Sequence, residues 1–172
     1  MLLKRSERVL DICRVALFAA LLSVSAWIQI PTPIPITLQT LTLFTMAGCL
    51  SPAKSLLTVL TYLAVGAVGV PVFSGFQGGI AVLLGPTGGF LLGFIPSVLL
   101  LSAVCQKTDR KSVRAAFSAL SLLILYTCGC VWYLLLYGND SVIITCVIPF
   151  IIPDTIKAGV AITLCAKIKK YF

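Results

Sequence analysis

The sequence predicts an all-α integral membrane protein, a compact bundle of six transmembrane helices with ligand-capping external loops, in a single domain over residues 1–172. Two observations carry this prediction. Hydrophobic residues make up 59% of the chain and charged residues only 10%, with a mean hydropathy of +1.10. A soluble domain carries roughly 25% charged residues, so this chain has too little polar surface to cover a globule in water. The charges also cluster between apolar stretches, which is typical of loops that flank membrane spans.

Apolar stretches define the predicted spans. Five of them lie at about 9–30, 36–50, 53–69, 88–105 and 115–137. The sixth block, 141–166, contains Pro149 and Pro153, and proline interrupts a helix because it lacks an N–H and its ring clashes with the preceding turn. We expect this block to divide before Pro153, with a helix from Asp154 to about Lys170. Some spans are short for a hydrocarbon core of about 30 Å, which indicates half-helices or a cavity reaching into the membrane.

The distribution of Lys and Arg predicts the orientation of the spans. If the N-terminus is cytoplasmic, the gap after the second span, the loop after the fourth and the C-terminus are cytoplasmic too, and these regions hold 12 of the 13 Lys and Arg. The opposite loops, 31–35, 70–87 and 138–140, hold none. We therefore expect a multi-pass protein of the cell membrane with both termini in the cytoplasm. A nucleic-acid partner would need a continuous basic face and is not expected.

Residue types that carry most enzymatic chemistry are absent or scattered. The chain has no His, and its seven Cys form no CxxC pair, so neither a zinc site nor a disulfide framework is predicted. Most of the Cys lie inside apolar runs, as small buried hydrophobic residues do. The sequence has no GxSxG elbow and no paired carboxylates. We expect no enzyme, and no cofactor or metal bound by this chain.

The segment GFQGGIAVLLGPTGGFLLG, residues 75–93, holds seven of the 13 glycines. It lacks the Lys and the spacing of a Walker A loop, and it lacks GxGxxG, so phosphate binding is not predicted. Two interpretations remain open. Gly85, Gly89 and Gly93 recur at every fourth position, as in closely packed membrane helices. The glycines and prolines at the start of the segment indicate instead an external loop with unusual backbone angles, which could line a cavity.

Asp154 and Lys157 are an acid and a base embedded in an apolar block. On insertion scales a charged group costs about 2.5–3.5 kcal/mol at the centre of a membrane helix. Three residues apart, the two share one helix face and can pair. With Pro153 at a helix start, Asp154 would lie in the first turn, where the helix dipole favours an anion. They form either a structural ion pair or, as we favour, a polar-ligand site that accepts N–H groups and donates to a carbonyl or carboxylate.

Three prolines within residues 31–35 predict a stiff, extended connection. This connection is either a tight external turn or a wall of the same external site. In the second case Thr37 and Gln39 could supply hydrogen-bond partners to a ligand.

A stripe of small residues in the first span consists of Ala16, Ala20 and Ser23. Small residues let membrane helices approach one another closely. The stripe packs either inside the bundle or against a partner protein, and the spacing alone favours the inside.

Together these motifs resemble the BioY family, the biotin-binding S components of energy-coupling factor (ECF) transporters. The resemblance covers nearly the whole chain and rests on PxPIPITLQTL, VPVFSGFQGGIAVLLGPTGGFLLGF and PFIIPDTIKA, in this order. The chain departs from the family at Pro153, where a Gly is usual. It also departs in the 70–87 loop, which often carries an Asn in the family and has Gln77 here.

The resemblance implies a biotin pocket near the external face, capped by the loops 31–35 and 70–87. Polar anchors would hold the ureido ring of biotin, and apolar walls would enclose its thiophane ring and valeryl chain. The residues implied for these contacts are Asp154, Lys157, Gln77, Gln39, Thr87, Phe73, Phe76 and Phe90.

The resemblance also implies partners for uptake. Ala16 and Ala20 fit the AxxxA motif by which such components dock on the transmembrane coupling subunit, which favours a partner for the small-residue stripe. ATP would be hydrolysed by separate ATPase subunits, and the binding subunit would reorient within the membrane lipid to release biotin inside. The alternatives are an S component for another small vitamin, or a ligand-free structural membrane protein in which Asp154 and Lys157 only pair with each other.

Overall fold

The computed structural model describes residues 2–138 and 142–168, and the side chains from residue 7 onward within them. The described residues are mainly helical. A short antiparallel hairpin follows the first helix, and a 3-10 turn, Ser74–Phe76, lies in the 70–87 loop. The elements in chain order are α1 Leu2–Trp27, β1 Gln29–Ile30, β2 Ile36–Thr37, α2 Gln39–Cys49, α3 Pro52–Ala67, α4 Ile80–Leu84, α5 Gly88–Lys107, α6 Lys111–Tyr137, α7 Val142–Cys146 and α8 Ile148–Ile168.

The helices differ in their ability to cross a membrane. Within the described residues four stretches are long and apolar enough, namely Glu7–Trp27, Gly88–Lys107, Lys111–Tyr137 and Val142–Ile168. The apolar helix α3 has 16 residues and α2 has 11. At about 1.5 Å per residue both fall short of a hydrocarbon core of about 30 Å. The all-helical membrane architecture is confirmed, whereas the prediction of six transmembrane helices is not.

The last helix corrects the prediction made around Pro153. Helix α8 continues from Ile148 through Pro153 to Ile168, so the block does not divide at that proline and Asp154 does not lie in a first turn. The interruption falls earlier, at Val147, between α7 and α8. Proline is tolerated inside a membrane helix because neighbouring groups can satisfy the carbonyl that it frees. The predicted helix end at Lys170 lies outside the described residues.

The core of the bundle is built around α2, which lies between α5 and α8 and also touches α1. Nine of the 11 residues of this helix are buried. A helix that is buried on all sides needs no polar face, and its short length leaves space above its N-terminus. Gln39 and Thr40, at that end of α2, line a cavity.

The glycine-rich segment divides between its two interpretations. A Cβ atom added to Gly89 would lie 2.3 Å from the Cβ of Trp132, and one added to Gly93 would lie 3.0 Å from the Cβ of Cys128, so both glycines allow α5 and α6 to pack closely. Gly85 instead precedes α5, and its carbonyl accepts a hydrogen bond from Trp132 Nε1 over 3.0 Å. The close-packing motif therefore holds only for the helical part of the segment.

The first part of the 70–87 loop has a fixed shape. Gly75 and Phe76 both have positive φ angles, 69° and 56°, which only glycine adopts without strain. The Phe76 ring stacks on Trp27 at the end of α1, with 5.0 Å between centroids. Trp27 Nε1 donates to the carbonyl of Pro71 over 3.0 Å, which ties the loop to α1 a second time. The interpretation as a shaped loop is confirmed for this part.

Candidate ligand-binding site

A cavity, here called the inner cavity, lies between α2, α5, α6 and α8 and is bordered by the hairpin and the 70–87 loop. The space that no atom occupies is about 550 Å³, counting the open solvent at its mouth. Its walls are mainly apolar and aromatic, with a few polar groups. The lining residues are Ile34, Pro35, Phe73, Phe90, Leu91, Phe94, Leu125, Tyr126 and Phe150, with Thr37, Gln39, Thr40, Ser74, Thr87, Asp154 and Lys157.

An ion pair on α8 forms the polar part of the inner cavity. Lys157 Nζ lies 2.8 Å from Asp154 Oδ1, and the two residues are only 8% and 1% exposed. Buried charges are stable only when they are paired and their remaining hydrogen bonds are satisfied. The structural pairing that the sequence allowed therefore exists, and it lies in the wall of a cavity.

Two side chains and one backbone carbonyl from three other elements hydrogen-bond to this pair. Thr40 Oγ1 on α2 donates to Asp154 Oδ1 over 2.8 Å, and the Tyr126 hydroxyl on α6 donates to Oδ2 over 3.0 Å. Lys157 Nζ donates to the carbonyl of Thr37 on β2 over 2.6 Å. The pair thus fixes the hairpin, α2 and α6 around one point.

These contacts leave capacity for a ligand. A carboxylate has roughly four lone-pair sites and an ammonium has three N–H donors. Within the described residues, Asp154 accepts from Thr40, Lys157 and Tyr126, which leaves one site on Oδ2. Lys157 donates to Asp154 and Thr37, which leaves one N–H. The pair can therefore accept one hydrogen bond from a ligand and donate one to it.

Gln39 connects the pair to the 70–87 loop. Its Oε1 accepts from Thr37 Oγ1 over 2.9 Å, and its Nε2 donates to the Tyr62 hydroxyl over 2.7 Å. Tyr62 in turn donates to the carbonyl of Val72 over 3.2 Å. This chain of hydrogen bonds joins α2, α3 and the loop, so Gln39 both lines the cavity and holds the loop above it.

Aromatic rings form the apolar walls. Phe90 stacks on Phe150 with 5.8 Å between ring centroids, and Phe150 lies 6.5 Å from Tyr126. Phe73 packs edge-on against Tyr62 at 5.5 Å and is 1% exposed. Such pairs contribute about 0.5–1.5 kcal/mol beyond the burial of their area. The walls therefore suit a flat, apolar ring system.

A second cavity, here called the vestibule, adjoins the inner one. The space that no atom occupies is about 1160 Å³, counting the open solvent at its mouth, and it is lined by the hairpin, the 70–87 loop and α4. Pro35, Ser74 and Thr87 line both cavities, so the two are neighbours.

The structure distributes the predicted site residues over four places. Six of them line the inner cavity: Asp154, Lys157, Gln39, Thr87, Phe73 and Phe90. Gln77 lines the vestibule. Phe76 is 64% exposed and belongs to the lining of neither cavity, because its ring covers Trp27. Ala16 and Ala20 lie on the exposed side of α1. The ligand and partner roles of these residues stay predictions.

The sequence did not point to Thr40, Tyr126 or Phe150. A Thr beside Gln39, and aromatic residues in apolar helices, are each common and carry no periodic signal. Their position becomes visible only when α2, α6 and α8 meet, although the buried charge on Asp154 indicated that donors had to lie nearby.

Groups that could hold a metal are not gathered anywhere in residues 2–138 and 142–168, where no cluster of three or more His, Cys, Asp or Glu occurs. No disulfide joins the seven Cys in the described part of the chain. Around the inner cavity the side chains offer hydrogen bonds, one ion pair and apolar contact.

Comparison with known proteins gives a consistent result. The model of the BioY family matches residues 3–172. A probable biotin transporter BioY of Pyrococcus horikoshii is 38% identical over 160 residues, which cover 92% of this chain and 96% of the relative. The biotin transporter BioY of Thermotoga maritima is 38% identical over 163 residues, with 93% and 96% covered.

The fold also matches a solved structure. A crystal structure of the S-component for biotin from an ECF-type ABC transporter superimposes with a TM-score of 0.87. The match covers 96% of this chain and 93% of that chain at 23% identity, which establishes the similarity of the folds.

Proposed function

The chain belongs to the BioY family, and on that premise we propose that it is the biotin-binding S component of an energy-coupling factor transporter. It is not an enzyme. It takes up biotin by binding the vitamin within the membrane bundle and delivering it to the cytoplasm. The observation that carries this proposal is the buried Asp154–Lys157 pair in the wall of the inner cavity, which has one acceptor site and one donor to spare.

The ureido ring of biotin matches this capacity. It has a carbonyl, which would accept the remaining N–H of Lys157, and N–H groups, one of which would donate to Asp154 Oδ2. Gln39 Oε1 accepts only one hydrogen bond within the described residues, from Thr37, and keeps a lone pair for the second N–H. Polar groups that a ligand leaves unpaired in such a site are costly, which favours a ureido ring over an apolar ring.

The rest of biotin is apolar and suits the aromatic walls. The fused thiophane ring would lie between Phe73 and the stacked pair of Phe90 and Phe150. Burial of apolar area contributes about 25 cal/mol per Å². The valeryl chain would leave toward Thr87 and the vestibule, because a carboxylate beside Asp154 would be repelled.

This is a multi-pass membrane protein, because it belongs to a transporter family and has several helices that are long and apolar enough to cross a membrane. Beyond this, the proposed arrangement is a single membrane domain with six crossings and both termini in the cytoplasm of the cell. The positions of Lys and Arg support this orientation, because residues 15–53 and 55–106, which include the external loops 31–35 and 70–87, contain neither. Helices α2 and α3 would make the two short crossings, with the site above the N-terminus of α2 on the external side.

Uptake would need an ECF transmembrane coupling subunit and ATPase subunits. The exposed Ala16 and Ala20 support docking of the coupling subunit on α1, because small residues allow close helix contact. ATP would be bound by the ATPase subunits, since this sequence has no nucleotide motif, and no cofactor is assigned to this chain. With biotin bound, this chain would then reorient within the lipid to release the vitamin into the cytoplasm.

Titration of the detergent-purified full chain with biotin tests the proposal. We expect tight binding by wild type, no comparable binding of riboflavin or thiamine, and a loss of at least about 100-fold for Asp154→Asn and for Lys157→Ala. Lys167→Ala removes an exposed ammonium from the same helix and serves as the control. Wild-type affinity in both site variants would refute the site, and absence of biotin binding in wild type would refute the function.

A further inference from the structure

The vestibule is large and its lining is polar but carries no formal charge. Its polar side chains are amides and hydroxyls, those of Gln29, Thr32, Ser74, Gln77 and Thr87. The remaining lining residues are Pro, Gly, Ala and Val. Such a surface can donate and accept hydrogen bonds, and it offers no ion-pair partner to a carboxylate.

The sequence excludes a cation from the neighbouring segments as well. Apart from Lys157, every Lys and Arg lies in the region before residue 15, at residue 54, within residues 107–114 or after residue 166. Lys157 belongs to the inner cavity, where it is already paired with Asp154. A carboxylate in the vestibule would keep its negative charge by remaining hydrated in the wide mouth, and it would gain no ion pair.

Gln29 in this lining has an unpaired acceptor. Its Oε1 is buried and accepts no hydrogen bond from the residues that the structure describes. A buried acceptor without a donor destabilises the protein that contains it. The partner that would satisfy this oxygen is an N–H group, which a carboxylate lacks and an amide has.

We propose that the vestibule accepts the acyl end of biotin in amide form, so that the chain binds biotin carboxamides, such as biotin joined to the side-chain amine of lysine, as well as free biotin. The inference rests on the proposed function, because it requires the ureido ring at Asp154 and Lys157. The Gln29 side chain would turn so that its Oε1, which is buried without a ligand, accepts from the amide N–H, and the amide carbonyl would accept from the hydroxyl of Ser74 or Thr87. The width of the vestibule leaves room for the attached amine.

Competition binding tests the inference on the purified full chain. Biotin, biotinamide and the lysine conjugate of biotin compete against labelled biotin. We expect the Kd of each amide to lie within about tenfold of the Kd of biotin, since neither amide loses an ion pair. If biotin binds normally and the affinity of either amide is more than about tenfold lower, the inference is overturned and the proposed function is left intact. Failure of biotin itself to bind overturns both.

Two sets of variants locate the acyl end. Gln29→Leu removes the acceptor and should weaken biotinamide at least about threefold more than biotin. Ala81 is an exposed vestibule residue on α4. Ala81→Lys should raise the affinity for biotin relative to that for biotinamide by about threefold, because the new ammonium can pair with the carboxylate of biotin. Ala81→Gln should leave the ratio of the two affinities unchanged. Equal effects on both ligands in Gln29→Leu, or an unchanged ratio in Ala81→Lys, would overturn the inference.

Discussion

Tyr126 on α6 donates a 3.0 Å hydrogen bond to Oδ2 of Asp154 on α8. Thr40 on α2 holds the other oxygen of the same carboxylate over 2.8 Å. The orientation of Asp154 is therefore set by two other helices before a ligand binds. A side chain fixed in advance loses little entropy on binding, which favours high affinity.

Tyr126→Phe removes this hydrogen bond and keeps the ring. A hydrogen bond to a charged group contributes about 1.5–3 kcal/mol, so we expect the Kd for biotin to rise at least about tenfold while the protein still folds. Tyr137→Phe makes the same change at a position on α6 that is 53% exposed and should leave the Kd unchanged. Titration with biotin and a melting curve in detergent measure both effects. An unaltered Kd in Tyr126→Phe would mean that Asp154 is oriented without it.

Stability and binding should separate when the ion pair is neutralised. Lys157→Met leaves the carboxylate of Asp154 buried without its cation, which costs about 3–5 kcal/mol, so both the Tm and the biotin affinity should fall. The double variant Asp154→Asn with Lys157→Met leaves no charge at this site and should regain much of the Tm without regaining binding. If the ion pair has only a structural role, uptake in cells should instead recover together with the Tm, and that outcome would contradict the proposed site.

The sequence made Asp154 and Lys157 predictable because charges are rare in apolar blocks and need a partner or a function. Tyr126 and Thr40 were not predictable, since a hydroxyl in a membrane helix has many possible partners and only the packing of α6 and α2 against α8 selects one. The interruption at Pro153 was predicted wrongly because the proline rule describes helices in water. Inside the bundle the neighbouring helices keep α8 continuous.

The Phe76 prediction shows a different limit. Aromatic residues of a glycine-rich loop were expected to cover the ligand, and Phe73 does line the inner cavity. Phe76 has a positive φ angle, which turns its ring outward onto Trp27. A single backbone angle thus separates two similar residues three positions apart, and the hydrophobic pattern carries no information about it.

Biotin analogues should report on Lys157 directly. In 2-iminobiotin an imino group replaces the ureido oxygen, so that the ureido group becomes a guanidine. This guanidine carries a positive charge at neutral pH. That charge would lie beside the buried ammonium of Lys157, so we expect affinity to fall at least about 100-fold relative to biotin. Dethiobiotin keeps the ureido group and loses only apolar contact, so it should lose far less. Equal binding of biotin and iminobiotin in competition assays would show that Lys157 does not face the carbonyl.

The contact between Gly129 and Phe90 allows the aromatic wall to be moved without touching a polar group. A Cβ atom at Gly129 would lie 2.3 Å from the tip of the Phe90 ring, so Gly129→Ala must displace the ring from its stack on Phe150 or into the cavity. We expect the Kd for biotin to rise at least about tenfold with the fold retained, because a ring tip moves more easily than backbone. Gly159→Ala on α8 is the matched control, since a Cβ there meets no atom within 4 Å and Ala favours a helix by up to about 1 kcal/mol. Wild-type affinity in Gly129→Ala would mean that biotin does not rest against Phe90.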